Sequence, residues 1–312
     1  MSGPDLSVVI PFFNEETCAG PLLEELDAVL ARLEIASEVV AVDDGSSDGT
    51  LSILKAQAGK HHRIHVLALA RNYGQTAALS AGFDASRGAL ILAMDGDGQN
   101  DPADIPRLVA ALTSDIDLVS GWRRRRSETA LSRRWPSQVA NRIIRLATGI
   151  PLHDFGCTLK LYRREFLDSF RLYGEMHRFI PVFVKDAGGR IAEIEVNHRP
   201  RTGGVSKYGL GRTLKVLMDL AVLMFFTGVR DKPIYLFGTV GLIEFILGST
   251  FVLTSILFKF LGLYDFVSTP LPNMGMFLVV LGVLTLLMGL LTDLTMRTYY
   301  ESQGKKPYRL RS

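Results

Sequence analysis

Three stretches decide the fold: Leu6-Ser7-Val8-Val9-Ile10-Pro11-Phe12-Phe13-Asn14-Glu15, Glu38-Val39-Val40-Ala41-Val42-Asp43-Asp44-Gly45-Ser46-Ser47-Asp48-Gly49-Thr50, and Ala89-Leu90-Ile91-Leu92-Ala93-Met94-Asp95-Gly96-Asp97-Gly98-Gln99-Asn100-Asp101. Each opens as a short apolar run and closes in a polar loop. Such runs suit strands buried on both faces. Working outward, Leu6–Ile10, Glu38–Val42, Ile64–Leu69, Ala89–Met94 and Ile116–Val119 read as strands. Helical stretches lie between them, at about Glu16–Leu33, Thr50–Ala58, Gln75–Ala85 and Ile105–Leu112. That alternation predicts an α/β, Rossmann-like, mostly parallel sheet with helices on both faces. Ligands of such sheets bind beyond the carboxyl ends of the strands.

Those ends are acidic. Asp43-Asp44 closes the second strand, Asp95-Gly96-Asp97 the fourth, and Glu15 follows the first, while Arg71-Asn72-Tyr73-Gly74-Gln75 follows the third. Like charges this close repel, so a cation joining them is expected, and a divalent metal with a phosphorylated substrate supplies one. Ser47 or Asp48 is placed to cap the following helix. Two other readings fail on spacing. Counted from Asp95, the positions where an EF-hand needs Gly and Glu hold Asn100 and Pro106. The first strand is followed by no Gly-rich turn, and no G-x-x-x-x-G-K-[ST] occurs.

The last third of the chain changes character. Ile234–Phe258 contains one acidic or basic side chain, Glu244, and Met274–Thr292 contains none. A stretch of about 20 apolar residues crosses the roughly 30 Å hydrocarbon core, so two transmembrane helices are expected. Arg297, Lys305, Lys306, Arg309 and Arg311 follow the second, which puts the tail and the N-terminal domain on the cytoplasmic side. Leu210–Phe226 mixes Arg212, Lys215 and Asp219 with Leu, Val, Met and Phe, as an interfacial amphipathic helix does. Glu244, at membrane depth, is expected to face protein, in helix packing within an oligomer.

Charge is uneven. The 312-residue chain has 35 Lys+Arg and 32 Asp+Glu, for a net +3. Yet residues 121–145 hold eight Arg and one Glu, and residues 199–215 hold five basic side chains and no acid. Acidic partners at particular places follow, such as phosphates or lipid headgroups. Cys18 and Cys157 make neither a disulfide framework nor a zinc spacing, and buried thiols in a reducing compartment are expected. Leu6–Ile10 is too brief for a secretory signal, and none is expected.

The motifs together resemble family-2 glycosyltransferases of the GT-A fold. The narrower resemblance is to the polyprenyl-phosphate transferases, among them dolichol-phosphate-mannose synthases and undecaprenyl-phosphate formamido-arabinose transferases. It rests on Val9-Ile10-Pro11 with Asn14-Glu15, Asp43 through Thr50, Asn72-Tyr73-Gly74, and Asp95-Gly96-Asp97 with Gln99. It continues through Asp154-Phe155-Gly156-Cys157, Phe179-Ile180-Pro181, the Arg201 to Tyr208 segment and the two C-terminal helices. The resemblance implies that Pro11, Phe13, Glu15, Val42, Asp44, Asp95 and Gly96 hold the nucleotide. Phe13 stands where the family often has Tyr, which removes a phenol hydrogen bond and leaves a stacking surface. Asp95, Asp97 and Gln99 would bind Mg²⁺ or Mn²⁺. Gly98 replaces a Leu common in relatives. Arg123, Arg201 and Lys207 would bind the acceptor phosphate, a task suited to cationic forks. Arg124, Arg125 and Arg126 read as a solvated or headgroup-facing loop. Asp97 and Asp154 are the catalytic candidates, Asp154 as a base or as a group that orients the phosphate.

The expectation is therefore a metal-dependent, inverting glycosyltransferase of the inner membrane. It would transfer a sugar from a nucleotide-sugar to undecaprenyl or another polyprenyl phosphate at the cytoplasmic face, for envelope glycan or lipid A modification. Its parts would be a GT-A domain (1–205), an interfacial helix region (206–232), two transmembrane helices (233–295) and a basic tail (296–312). The lipid bilayer is a partner, nucleic acid is not, and a homo-oligomer is expected, with a tetramer through the membrane helices as in relatives. Two alternatives stand beside it. A processive glycan synthase would carry Q-x-x-R-W, but Leu131 stands where the Gln before Arg134-Trp135 is needed. A non-catalytic nucleotide-sugar-binding scaffold would not need Asp95, Asp97, Gln99, Arg201 and Lys207 intact.

Overall fold

The computed structural model describes residues 3–124, 141–142, 144–146, 148–168, 170, 172, 176–200, 233–263 and 269–302. The chain divides into two compact units, Met1–Met224 and Phe225–Ser312.

The first unit is built on a seven-stranded sheet. Its elements in chain order are β1 (Leu6–Phe12), α1 (Glu16–Ala31), β2 (Ser37–Asp43), α2 (Thr50–Lys60), β3 (Ile64–Ala68), α3 (Gln75–Ala85), β4 (Leu90–Ala93), α4 (Ile105–Ala111), β5 (Leu118–Trp122), β6 (Lys160–Arg163), α5 (Arg164–Leu167), α6 (Ile180–Asp186) and β7 (Ile191–Glu195). The strands lie in the order β3-β2-β1-β4-β6-β5-β7. All adjacent pairs are parallel except those of β6, which runs antiparallel to both β4 and β5. The mostly parallel Rossmann-like sheet expected from the sequence is therefore present. The expected strands and helices are present, with ends shifted by at most three residues, and β6 and β7 are additions.

Alternation along β1 explains the two-sided core. Leu6, Val8, Ile10 and Phe12 join Leu22, Leu26, Leu30, Val39 and Ala41 on one face. Val9 joins Val40, Val42, Leu79, Phe83 and Tyr162 on the other. Helix α1 contributes through Leu22, Leu23, Leu26 and Leu30, a stripe at helical spacing. At the amino ends of the strands, buried Glu38 gathers the Ser7 hydroxyl at 2.7 Å and the Arg87 fork at 3.0 and 2.7 Å. Burial would raise the Glu38 pKa, but these donors win and hold it below the usual carboxylate range. Both cysteines are buried and neither forms a disulfide.

The second unit is a helical hairpin, α7 (Pro233–Phe260) and α8 (Leu271–Ser302). Its apolar stretches Leu236–Phe260 and Leu271–Thr292, of 25 and 22 residues, are long enough to cross a membrane. Gly241 meets Gly282 and Gly248 meets Gly275, where an added Cβ would come within 2.6–2.9 Å of the opposing carbonyl oxygens. The helices are thus antiparallel and closely packed, as small residues permit in lipid. Glu244 accepts a 2.9 Å hydrogen bond from Thr285 of α8, so a protein partner for this acid exists within the hairpin itself. The expected interfacial helix Leu210–Phe226 and most of the basic tail lie outside the described residues.

Helix α3 lies so close to the sheet that a Cβ on Gly82 would sit 2.2 Å from Val9 Cγ1 and 3.1 Å from Val42 Cγ2. In an open helix Gly→Ala stabilises by about 1 kcal/mol. Here β-branched neighbours in a full core cannot turn away, and overpacking costs about 1–3 kcal/mol. Gly82→Ala is therefore expected to lower the melting temperature of the full-length protein. An unchanged or raised value would contradict the packing account.

Candidate active site

The strand order sets β2, β1 and β4 side by side, so their acidic carboxyl-end loops meet. Asn14, at φ 55, makes the turn after β1 in the left-handed region that Asn tolerates. Its amide oxygen accepts from Ser47 N at 2.8 Å, and its own N–H donates to Ser46 Oγ at 3.0 Å. The Glu15 N–H donates to Thr50 Oγ1 at 2.9 Å, and Glu15 is buried. Asp48 accepts from Thr50 N at 3.0 Å at the start of α2, the capping expected of it.

Asp44 spans to the next loop. Its two oxygens accept from Tyr73 N at 2.8 Å and Gly74 N at 2.9 Å. Gly45 allows the approach: at φ 68, a Cβ there would lie 2.4 Å from the Arg71 carbonyl carbon. Beside it, Asp43 is buried with Oδ1 lacking a protein hydrogen-bond partner among the described residues. Val42 has its side chain in the core, so a ligand could meet only its main chain. Pro11, near the carboxyl end of β1, and Phe13, just beyond it, are partly exposed.

At the end of β4, Gly96 is required by contact, since a Cβ would stand 2.5 Å from the Phe12 ring and 2.7 Å from Pro11 O. Asp95 accepts from Gln75 Nε2 of α3 at 2.6 Å. Desolvation, then the neighbouring Asp97 charge, push its carboxyl up to about 6. Asp97 Oδ1 accepts from Gln99 N at 3.1 Å, while Oδ2 has no protein partner among the described residues. Gln99 is held by its main-chain oxygen, which accepts from Arg199 N at 2.9 Å. Arg199 is itself clamped by Glu25 and Asp101, each at 2.7 Å. Among the described residues no group of three or more His, Cys, Asp or Glu could hold a metal. Two crowded carboxylates and an amide oxygen nevertheless fit a hard divalent ion that takes its remaining oxygens from diphosphate and water. Desolvation is the larger cause of the raised Asp95 pKa and the Asp97 charge the second, and a bound cation would offset both.

Across the sheet, Arg123 follows β5. Its Nε and Nη2 donate to the two oxygens of buried Asp154 at 2.8 and 3.1 Å. Burial alone would lower the Arg123 pKa, but Asp154 overrides it and raises it. Nη1 has no partner among the described residues. Glu193 of β7 holds the Asp154 loop, accepting from His153 N at 2.8 Å and Asp154 N at 3.1 Å. His153 stacks on Trp122, with ring centroids 4.4 Å apart. Arg124 pairs with Glu195, whereas Arg125, Arg126, Arg201 and Lys207 lie outside the described residues.

The structure thus brings together Pro11, Phe13, Glu15, Asp44, Asp95, Gly96, Asp97 and Gln99 on one side, and Arg123 with Asp154 on the other. Between them stands Lys160, a residue that motif reading passed over. It begins β6, opposite Ala93 of β4 and Ser120 of β5. Its only sequence signal is a lysine inside the apolar run Leu159-Lys160-Leu161-Tyr162.

Comparison with known proteins agrees with this architecture. Residues 7–171 match the family described as Glycosyl transferase family 2. A dodecaprenyl-phosphate galacturonate synthase of Rhizobium johnstonii is 40% identical over 311 residues, covering 98% of this chain and 92% of that protein. An undecaprenyl-phosphate 4-deoxy-4-formamido-L-arabinose transferase of Aeromonas hydrophila is 34% identical over 305 residues, 97% of this chain and 92% of its own length. Among solved structures, glucosyl-3-phosphoglycerate synthase from Mycobacterium tuberculosis in complex with Mn²⁺, uridine diphosphate and glucosyl-3-phosphoglycerate shares the fold. It aligns with a TM-score of 0.54 at 19% identity, covering 73% of this chain and 80% of that one.

The Arg123–Asp154 pair is a buried one, with side chains 17% and 2% exposed. Removing one partner leaves an uncompensated charge, which typically costs about 3–5 kcal/mol. Arg123→Met is expected to destabilise the protein by that order. Adding Asp154→Leu should recover most of the loss in thermal unfolding. A double variant no more stable than the single would contradict the pairing.

Proposed function

The chain belongs to glycosyl transferase family 2, and on that premise we propose that it transfers a sugar from a nucleotide-sugar to a polyprenyl phosphate. The observation that carries the reading is the split of charge along the strand ends, with the crowded carboxylates of Asp95 and Asp97 after β4 and the Arg123 fork after β5. A donor diphosphate bound through a cation suits the first, and an acceptor phosphate suits the second. The dodecaprenyl and undecaprenyl phosphates in the names of the two relatives supply the acceptor class.

In this reading Pro11, Phe13, Glu15, the Val42 main chain, Asp44, Asp95 and Gly96 surround the nucleotide. Asp44 also sets the Tyr73–Gly74 loop through its two hydrogen bonds. A divalent ion, Mg²⁺ or Mn²⁺, held by Asp95, Asp97 and the Gln99 amide oxygen, would neutralise the charge of the departing diphosphate. An acceptor phosphate oxygen attacks the anomeric carbon, and the bond to the nucleoside diphosphate breaks with its electron pair leaving on that diphosphate. The anomeric centre inverts. A phosphate monoester has its second pKa near 6, so its oxygen is already largely ionised at about pH 7 and needs no strong base. Asp154, engaged through both oxygens, orients Arg123 and offsets its charge, while Nη1 of Arg123 is available to phosphate. Arg201 and Lys207 add acceptor-side cations.

The protein is a membrane protein, and we place it in the inner membrane as a multi-pass chain with the catalytic unit in the cytoplasm. The helical hairpin keeps the enzyme where its lipid substrate resides, and a homo-oligomer would form through those helices. The product would feed envelope glycan or lipid A modification.

The test is a screen of nucleotide-sugars with polyprenyl phosphate and the full-length protein in detergent, scored by the mass of the glycolipid. Asp97→Ala is expected to lower turnover by roughly a hundredfold or more, as loss of a preorganised transition-state contact does, with the fold retained. Turnover of Asp97→Ala above about a tenth of wild type under saturating Mn²⁺ would sink the assignment of Asp97, since a tenfold loss is only about 1.4 kcal/mol. Absence of any polyprenyl-linked product across the donor screen would sink the function.

A further inference from the structure

Lys160 is 1% exposed, at the start of the interior strand β6. Its Nζ donates to Phe155 O at 3.2 Å and to Cys157 O. A buried ammonium is costly, and an apolar side chain would suit a position between Leu159 and Leu161 better unless the charge is used. Burial lowers its pKa, opposed by the carboxylate charges of Asp154 and Asp95. Both carbonyls it holds belong to the turn that follows Asp154. The same turn is closed by Cys157 N on Asp154 O at 3.3 Å. Arg123 and Asp154 both lie against this turn, since a Cβ on Gly156 would be in ordinary contact with Arg123 Nη2 at 3.5 Å and Asp154 Oδ1 at 3.6 Å. The antiparallel course of β6 makes this possible. It puts the first residue of the strand, rather than the last, at the edge where β4 and β5 deliver Asp95 and Arg123.

We infer that Lys160 is a positioning residue for sugar transfer. By holding the carbonyls of Phe155 and Cys157 it fixes the turn that carries Asp154, and through Asp154 it sets the Arg123 fork that takes the acceptor phosphate. The inference rests on the acceptor-phosphate reading of Arg123. On this inference Lys160 acts through the turn and not on the sugar or the donor. Its removal should disturb the acceptor side and the alignment of the reacting atoms, and leave the nucleotide side in place.

The experiment uses the full-length protein in detergent. Lys160→Met, close in volume, removes the donors and the charge. Hydrogen exchange is followed at residues 154–157, alongside kcat, the KM for polyprenyl phosphate, and calorimetric affinity for nucleoside diphosphate with Mn²⁺. The expected result is faster exchange at the turn, a fall in kcat of about a hundredfold as for a misplacement near 1 Å, and a raised acceptor KM. Nucleotide affinity should be unchanged. Lys160→Arg should recover part of the loss, and Lys160→Met should add little on top of Arg123→Met, because the two act through one unit. Unchanged exchange, or activity that falls only with the folded fraction while the acceptor KM holds, would overturn the inference. So would an equal loss of nucleotide affinity. Should the Met variant fail to fold, Lys160→Arg and Lys160→Gln are read against the same criteria. A wild-type protein that makes no polyprenyl product would refute the function reading. A transferring wild type with an unimpaired Lys160→Met refutes only the role of Lys160.

Discussion

Carboxylates on adjacent parallel strands cannot be left uncompensated at close range, and the rest of the first unit is arranged around that constraint. Parallel strands deliver all their carboxyl ends to one edge. Here β2, β1 and β4 bring Asp43, Asp44, Glu15, Asp95 and Asp97 to it. The protein offsets part of the charge with N–H groups: Tyr73 and Gly74 on Asp44, Ser46 on Asp43, Gln75 on Asp95. What it does not offset is as informative. An oxygen of Asp97 has no partner among the described residues, and Asp95 has its pKa pushed up to about 6 by desolvation and the charge of Asp97. Those are the marks of a site prepared for an added cation.

Compensation on the other side is internal. Arg123 and Asp154 neutralise each other in a bidentate pair, and Lys160 lies buried between that pair and the carboxylates of β4. The reversal of β6 is the topological device behind this. A parallel strand in that place would have put its first residue at the opposite edge of the sheet. On the proposed function, the edge is thereby divided into a half suited to metal-bound diphosphate and a half suited to a phosphate monoester.

Much of this was legible in the sequence, for physical reasons. Strands buried on both faces are written as continuous apolar runs, so β1, β2 and β4 were found with their loops, and with them the stretches that hold Asp44, Asp95, Asp97 and Gln99. Motif spacing within one loop survives in sequence because its residues are neighbours in the chain. β6 was not legible, because Lys160-Leu161-Tyr162-Arg163 is short and flanked by cations. β7 carries Glu193 and Glu195, which mask its period. The clamps that hold the site were not legible either. Arg199 to Glu25, Glu193 to His153 and Asp154, and Lys160 to the Asp154 turn join residues that only the sheet order brings together. Gly82 was an ordinary letter until the packing of α3 on Val9 showed that no side chain fits there, and Gly96, read from the sequence as a nucleotide contact, is also required by the packing of the β4 loop on Phe12.

The central claim is that the acidic half of the edge binds nucleoside diphosphate through a divalent ion. Calorimetric titration of nucleoside diphosphate into the full-length protein, once with Mn²⁺ and once with chelator, tests it most directly. The account predicts tight binding with the ion and a loss of at least about tenfold, roughly 1.4 kcal/mol, without it. Equal affinity in both titrations would contradict it.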